Sequence, residues 1–219
     1  MFKGLVTVLF LYILARGDCK ITLHNSLAVD MICSGGIIAR RGSSVFLSGN
    51  GRCADVVNDG NRTLFEYNEL PIKTYVDLSY VDACTFAAEI VINGVVIAKS
   101  DCQCTYDRPI LSPCTIHRTN NFCCLENFGT DATCDIDTEY YKFINSCSTR
   151  VYKYAYDDKL GLVIANTTDD IVANIGGAES PANNHEHEPV HLGHSNANVC
   201  LCLCFNIYLL LLFCHIAYS

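Results

Sequence analysis

The sequence has no excess of basic residues, and this absence excludes one large class of function. Asp and Glu number 23 against 15 Lys and Arg among 219 residues, so the formal net charge is −8 at pH 7. Proteins that bind the phosphate backbone need basic surface to displace counterions. The sequence therefore predicts no nucleic-acid partner.

Charged residues are scarce, at 17% of the chain against 50% hydrophobic residues, and the apolar residues are concentrated at two ends. The first end has one Lys, then the apolar run LVTVLFLYIL and the small-residue stretch ARGDC. This order is typical of a secretory signal peptide, which we place at residues 1–19, with cleavage after Gly17 or Cys19. A membrane anchor is disfavoured because the run of about 11 residues is shorter than the roughly 20 that span a bilayer.

The second apolar segment covers residues 199–219 and contains no Asp, Glu, Lys or Arg. It fits the tail of a GPI-attachment signal, preceded by small residues such as Ser195 and Asn196. The alternatives are a single-span helix, although no Lys or Arg follows as a stop-transfer flank, and a buried C-terminal strand. The first two readings predict a protein held at the outer face of the plasma membrane or in the cell wall.

Residues 179–198, ESPANNHEHEPVHLGHSNAN, are polar and show no apolar periodicity, which predicts a stalk. Its four histidines could bind Zn or Cu, but a solvated linker is favoured because no fold fixes the ligand geometry. These histidines are His185, His187, His191 and His194. We expect no metal and no cofactor.

Residues 20–178 form a region of single-domain size that carries ten of the 15 cysteines. Cys102-x-Cys104 and the adjacent Cys123-Cys124 lack zinc-ribbon spacing, so we predict up to five disulfides in an oxidising compartment. A retained Cys19 would leave one thiol over. Two sequons, at Asn61 and Asn166, predict N-glycosylation. The ten cysteines are Cys33, Cys53, Cys84, Cys102, Cys104, Cys114, Cys123, Cys124, Cys134 and Cys147.

Long amphipathic helices are absent from the pattern before about residue 135, whereas period-two or β-branched runs are common. Strands are predicted in KITLHNS, SSVFLS, TLFEYNE, YVDLSYVD and AEIVINGVVIA. Asn93-Gly94 divides the last run and predicts a two-residue hairpin turn. One helix is predicted in TEYYKFINSC, with Thr138 as a possible N-cap. The pattern indicates an all-β sandwich with a short disulfide-bonded loop region.

Residues 122–158, FCCLENFGTDATCDIDTEYYKFINSCSTRVYKYAYDD, closely resemble the C-terminal part of thaumatin-like proteins. That family runs Y-C-C, then P-x-x-C-x-P-T-x-Y-S-x-F-F-K, then a Cys and Y-S-Y-A-Y-D-D. Four shorter pieces follow the family in the same order over nearly the whole region: ITLHNS, GGIIARRGSSVFL, TLFEY and YVDLSYVDA. The chain resembles the small form of the family, in which much of the cysteine-rich loop domain is missing.

The resemblance implies a flattened antiparallel β-sandwich with a reduced, disulfide-bonded loop domain. It further implies that Cys114 pairs with Cys123, that Cys124 pairs with Cys134, and that Cys147 reaches back to Cys102 or Cys104. The chain also departs from the family. Family cysteines are replaced around residues 26–27 and missing near 174, a pair that normally bonds together, and a third is missing near 165.

In the family an Arg and four carboxylates line a cleft. Matching the motifs one by one, the resemblance implies that the four acidic positions are Glu66, Asp77, Asp82 and Asp157. The candidate for the Arg is Arg52, although the usual R-T-x-C context is missing. Asp77 and Asp82 are five residues apart, so a bulge or a strand end must intervene if both face one cleft.

Three functions follow from such a cleft as expectations. The preferred one is a cell-surface, thaumatin-like defence or wall-associated protein that binds an extracellular polysaccharide, β-glucan or a related polymer, through the acidic face. The second is a weak endo-β-1,3-glucanase, with Glu66 and Asp82 as candidate catalytic carboxylates. The third is a non-catalytic module that binds a protein. Nearby aromatic residues could stack on sugar rings, but a place in the core is favoured. They are Tyr67, Tyr75, Tyr80 and Phe86.

Overall fold

The computed structural model describes residues 20–57, 61–130, 132–134 and 136–176. The predicted signal peptide, the stalk, the C-terminal segment and the domain boundaries at residues 19 and 178 lie outside these residues. Within the described ranges, no helix is long and apolar enough to cross a membrane.

Most of the regular structure in the described residues is β-strand. Fourteen strands lie in two six-stranded sheets and one two-stranded sheet. The strands are β1 (Lys20–Asn25), β2 (Met31–Cys33), β3 (Ile38–Ala39), β4 (Ser43–Leu47), β5 (Asn50–Asp55), β6 (Leu64–Glu69), β7 (Lys73–Ser79), β8 (Ala83–Cys84), β9 (Ala88–Ile92), β10 (Val95–Ser100), β11 (Ile110–Leu111), β12 (Ser148–Thr149), β13 (Val163–Asn166) and β14 (Asp170–Ile175).

The first sheet has the order β12-β10-β9-β14-β1-β4, and the second has the order β13-β7-β6-β5-β2-β3. Neighbouring strands are antiparallel except β1 and β14, which are parallel. One cluster of buried hydrophobic side chains includes residues of both sheets, such as Leu23 from the first and Phe65 and Leu78 from the second. The strands predicted from period-two patterns are therefore confirmed, and both sheets share one core.

The hairpin predicted at Asn93-Gly94 joins β9 to β10. Both turn residues have positive φ, 51° for Asn93 and 79° for Gly94, the conformation that a two-residue hairpin of this type requires. The Asn93 side chain also accepts a hydrogen bond from the backbone of Asp170 at 3.0 Å. The turn is thus tied to the start of β14.

Helices are few and short: α1 (Pro113–His117), α2 (Asn120–Cys123), α3 (Glu139–Cys147) and α4 (Asp158–Gly161). The longest, α3, is the predicted helix, and the Thr138 hydroxyl accepts a hydrogen bond from the Tyr141 backbone as its N-cap. Tyr140, Tyr141 and Ile144 form its buried face.

Five disulfides link all ten cysteines of the described domain. They join Cys33 to Cys53, Cys84 to Cys104, Cys102 to Cys147, Cys114 to Cys123, and Cys124 to Cys134. The two short-loop pairs are those that the resemblance implies, and Cys147 takes Cys102 rather than Cys104. Each bond stabilises the fold by roughly 2–4 kcal/mol, mainly by restricting the unfolded chain.

Candidate functional site

A cleft of about 900 Å³ lies on the face of the second sheet that points away from the core. Alternate residues of β5, β6 and β7 form its floor, because the residues between them, including Phe65, Val76 and Leu78, are fully buried. The loop around residues 81–82 and the segment 152–162 supply lining residues beside that floor.

A row of three ionisable side chains crosses the centre of the floor. Arg52 is the cross-strand partner of Glu66, and Glu66 is the partner of Asp77. Directly opposed residues have Cβ atoms about 5 Å apart, so the three side chains lie side by side on three adjacent strands. The strand register thus brings together three of the five residues that the resemblance assigns to a cleft.

Asp82 reaches the same cleft from a loop rather than from a strand. Strand β7 ends at Ser79, which is the strand end required for Asp77 and Asp82 to face one site. The loop is held by its own backbone, because the Asp82 carbonyl accepts hydrogen bonds from the Ser112 N–H at 3.0 Å and the Thr115 hydroxyl at 2.7 Å.

Asp157 is not among the residues that line the cleft, and this corrects its assignment from the resemblance. Its carboxylate is 2% exposed and lies 2.8 Å from the Lys153 ammonium in a buried ion pair. The neighbouring Asp158 lines the cleft instead, and it accepts a hydrogen bond from the Tyr152 hydroxyl at 2.6 Å. The fourth carboxylate of the cleft is therefore Asp158.

Burial and crowding of negative charge change the acidity of the floor. Burial, together with the neighbouring negative charges of Glu66 and Asp158, raises the pKa of Asp77 to about 8. One carboxyl oxygen of Asp77, Oδ1, is buried without a hydrogen-bond partner among the described residues. Asp77 is consequently mostly protonated at neutral pH.

The other two predicted carboxyls keep a basic neighbour. Burial raises the pKa of Glu66, while the charge of Arg52 opposes the shift and Asp82 adds to it. Burial also raises the pKa of Asp82, and Arg52 and Arg62 oppose that rise. Arg52 thus favours the ionised form of both carboxyls, and the floor combines a protonated Asp77 with a Glu66 that has a cation beside it.

Most of the aromatic residues near the acidic motifs belong to the core, as favoured from the sequence. Tyr80 and Phe86 are 0% and 1% exposed, and Tyr67 lines the cleft but is only 5% exposed. Tyr75 is half-buried and lines the cleft. A second half-buried tyrosine, Tyr152, also lines it. A side chain at Gly161 would overlap the Tyr152 ring, so the glycine lets this ring pack against α4.

Two exposed amides complete one end of the floor. Asn50 is the cross-strand partner of Asn68, and Asn68 is the partner of Tyr75. All three line the cleft, two residues along the strands from the row of Arg52, Glu66 and Asp77. Sequence reasoning missed Asn50, Asn68, Tyr152 and Asp158, although the alternation of Asn68 with Glu66 on β6 is a signal that could have found one of them.

Other predicted sites lie away from the cleft floor or remain predictions. Asn166 is exposed at the end of β13, and Asn61 is half-buried. Among the described residues, no group of three or more His, Cys, Asp or Glu could hold a metal ion. The four histidines of the predicted stalk lie outside the described residues.

Neither the models of known protein families nor the curated protein sequences contain a match to this chain. The resemblance to thaumatin-like proteins therefore stays a prediction based on the motifs.

Proposed function

We propose that this chain is an extracellular, thaumatin-like defence or wall-associated protein with a β-sandwich fold, and that its cleft binds β-glucan or a related polysaccharide. The observation that carries the proposal is the composition of the floor. Carboxylates, an arginine, two exposed amides and two half-buried tyrosines line one open cleft with a volume of about 900 Å³. Five disulfides are compatible with an extracellular location.

The chemistry of this floor suits a neutral sugar chain. Carboxylates and amide oxygens accept hydrogen bonds from hydroxyl groups, and amide and guanidinium nitrogens donate to hydroxyl oxygens. Tyr75 and Tyr152 each offer a half-buried ring on which the apolar face of a sugar could pack. Binding would extend along the strands, from the Asn50–Asn68–Tyr75 row across the Arg52–Glu66–Asp77 row.

Calorimetric titration of the purified full-length chain with the hexamer of β-1,3-linked glucose tests the proposal. We expect saturable binding that falls at least fivefold in both variants, because Glu66→Gln replaces a charged acceptor oxygen with an amide NH2 and Asn68→Ala removes an amide from the floor. The control is Asp101→Asn, which removes the same charge at an exposed position paired with Lys99 and should bind normally. Absence of binding removes β-glucan as the ligand, and equal affinity in all variants overturns the assignment of the binding site to this cleft.

Hydrolysis of the glucan is a second candidate function, favoured by the Glu66–Asp77 pair. A mostly protonated Asp77 beside Glu66 matches the need for one carboxylic acid to protonate the leaving oxygen and one carboxylate to act as base or nucleophile. The candidate pair would thus be Glu66 and Asp77, with Asp77 as donor, in place of the Glu66 and Asp82 proposed from the sequence. Release of reducing ends from laminarin, lost in Asp77→Asn and in Glu66→Gln, is the expected result. Binding without release would leave the non-catalytic function standing alone.

A further inference from the structure

A second, smaller depression of about 300 Å³ opens beside the cleft. Four residues line both of them: Ser34, Arg52, Leu64 and Asp82. The two depressions are therefore continuous, and a chain bound in the cleft could place a substituent in the smaller one.

The floor of the smaller depression is aliphatic. Ile32 on β2 is the cross-strand partner of Ala54 on β5, and both line the depression together with Leu64 on β6. Ile32 is 50% exposed. The described lining contains no aromatic ring, so it offers a surface for a small apolar group rather than a platform for a flat sugar face.

A hydrogen-bond donor and an acceptor stand where the two depressions join. Arg52 and Asp82 line both, and the charge of Arg52 acts on the Asp82 carboxyl. No described residue hydrogen-bonds the Arg52 guanidinium or the Asp82 carboxylate. Arg62 also lines the smaller depression, but its guanidinium donates to the Asp55 carbonyl at 2.6 Å. The donor and acceptor at the junction are thus available to a ligand.

We propose that the smaller depression binds the acetamido group of an N-acetylated sugar, so that the cleft takes polysaccharides built from N-acetylhexosamine. The methyl group would contact Ile32 and Leu64, the amide N–H would donate to Asp82, and the amide oxygen would accept from Arg52. A hydroxyl group at the same sugar carbon would leave the aliphatic floor uncovered. This inference rests on the proposed binding of polysaccharide in the cleft.

The test compares two neutral hexamers that share the β-1,4 linkage and differ only at this substituent: N-acetylglucosamine hexamer and glucose hexamer. Titrated into the full-length chain, the acetylated hexamer is expected to bind at least tenfold more tightly, since it buries a methyl group and makes two further hydrogen bonds. Ile32→Ser should reduce its affinity about fivefold. The same variant should leave the affinity for the glucose hexamer unchanged.

Ile38→Ser is the matched control. Ile38 is the cross-strand neighbour of Ile32 and is 54% exposed, but it does not line the depression. Equal affinity for the two hexamers, or equal loss in Ile32→Ser and Ile38→Ser, overturns the inference. If the inference fails in this way but the β-1,3-glucose hexamer binds tightly, the proposed function is left intact. If only the acetylated hexamer binds, the inference is supported and β-glucan is removed as the ligand. Binding of none of the three hexamers overturns both proposals.

Discussion

The floor and the wall of the cleft are held in place by different forces. The floor consists of residues on β5, β6 and β7, whose positions are set by a continuous antiparallel register. The wall, residues 150–162, joins the second sheet through a single bridge between Tyr152 and Ser79. In a paired strand, the backbone register determines which face each side chain points to. The position of the wall depends instead on contacts made by particular side chains.

The contacts of the wall show this dependence. The Tyr152 backbone pairs with β7 and the residue after it, donating to Leu78 at 2.9 Å and accepting from Tyr80 at 2.8 Å. Beyond this point the wall is held by the buried side chains of Val151 and Tyr154 and by the Lys153–Asp157 ion pair. The Arg150 guanidinium also donates to the Leu162 carbonyl at 3.0 Å. Substitutions of single side chains should therefore disturb the wall far more than the floor.

Lys153→Met should have the largest effect. It leaves the buried carboxylate of Asp157 without its cation, which we expect to lower the free energy of unfolding by about 3–5 kcal/mol. Chemical denaturation at pH 7 measures the loss. Adding Asp157→Asn should recover part of it, because the unpaired buried charge is then removed.

Lys142→Met is the control for this prediction. Lys142 pairs with Asp137 at 3.0 Å and Glu139 at 3.3 Å, but its side chain is 58% exposed, so the loss should stay under about 1 kcal/mol. Similar losses in Lys153→Met and Lys142→Met would show that the buried pair does not hold the wall.

The contrast between floor and wall also explains what the sequence could predict. The period-two runs indicate the long strands, and the neighbouring positions of Glu66 and Asp77 then follow from the pairing of β6 with β7. Strand β14 has the same alternation, with Ile171, Ala173 and Ile175 buried, yet it was not predicted. Its parallel pairing with β1 joins distant parts of the chain, and no local pattern encodes such a partner.

Asp157, the one site residue that the sequence misplaced, lies in the wall. The motif YAYDD ends in two adjacent carboxylates, Asp157 and Asp158. Because they lie outside any strand, the alternation of side chains along a strand does not show which of the two faces the cleft. Lys153, four residues before Asp157, decides which one turns inward through the ion pair. The very short strands β3, β8, β11 and β12 were missed for a related reason, since two residues show no periodicity.

A smaller effect is expected in the floor, from the pH dependence that Asp77 imposes. Its folded-state pKa, about 8, lies above the ordinary value of 3.8, so the folded protein holds a proton that the unfolded chain releases. The contribution of Asp77 to stability should therefore be fully present below about pH 4, fall as the pH rises, and be lost above pH 8. Asp77→Asn should remove this loss, which we expect to be about 3 kcal/mol, because solvent in the open cleft screens part of the roughly 6 kcal/mol that the full shift corresponds to.

Denaturation midpoints between pH 4 and pH 9 measure the difference between the wild type and Asp77→Asn. Asp107→Asn serves as a control of opposite sign, because a hydrogen bond from Thr105 lowers the pKa of the exposed Asp107 carboxyl. The stability of Asp107→Asn relative to the wild type should not increase as the pH rises. A difference between wild type and Asp77→Asn that is constant with pH would contradict the assignment of a protonated Asp77.

The smallest effect is expected from Tyr152→Phe, at the point where wall and floor meet. The substitution removes the hydrogen bond to Asp158, worth about 1 kcal/mol, but keeps the ring that packs against Gly161. Asp158 would then turn more freely, and the affinity for the β-1,3-glucose hexamer should fall about threefold. Tyr156→Phe, at a ring that is 49% exposed, should bind as the wild type does. Equal affinities in all three proteins would show that the hydroxyl does not orient Asp158 toward the ligand, and that the ring alone forms this edge of the wall.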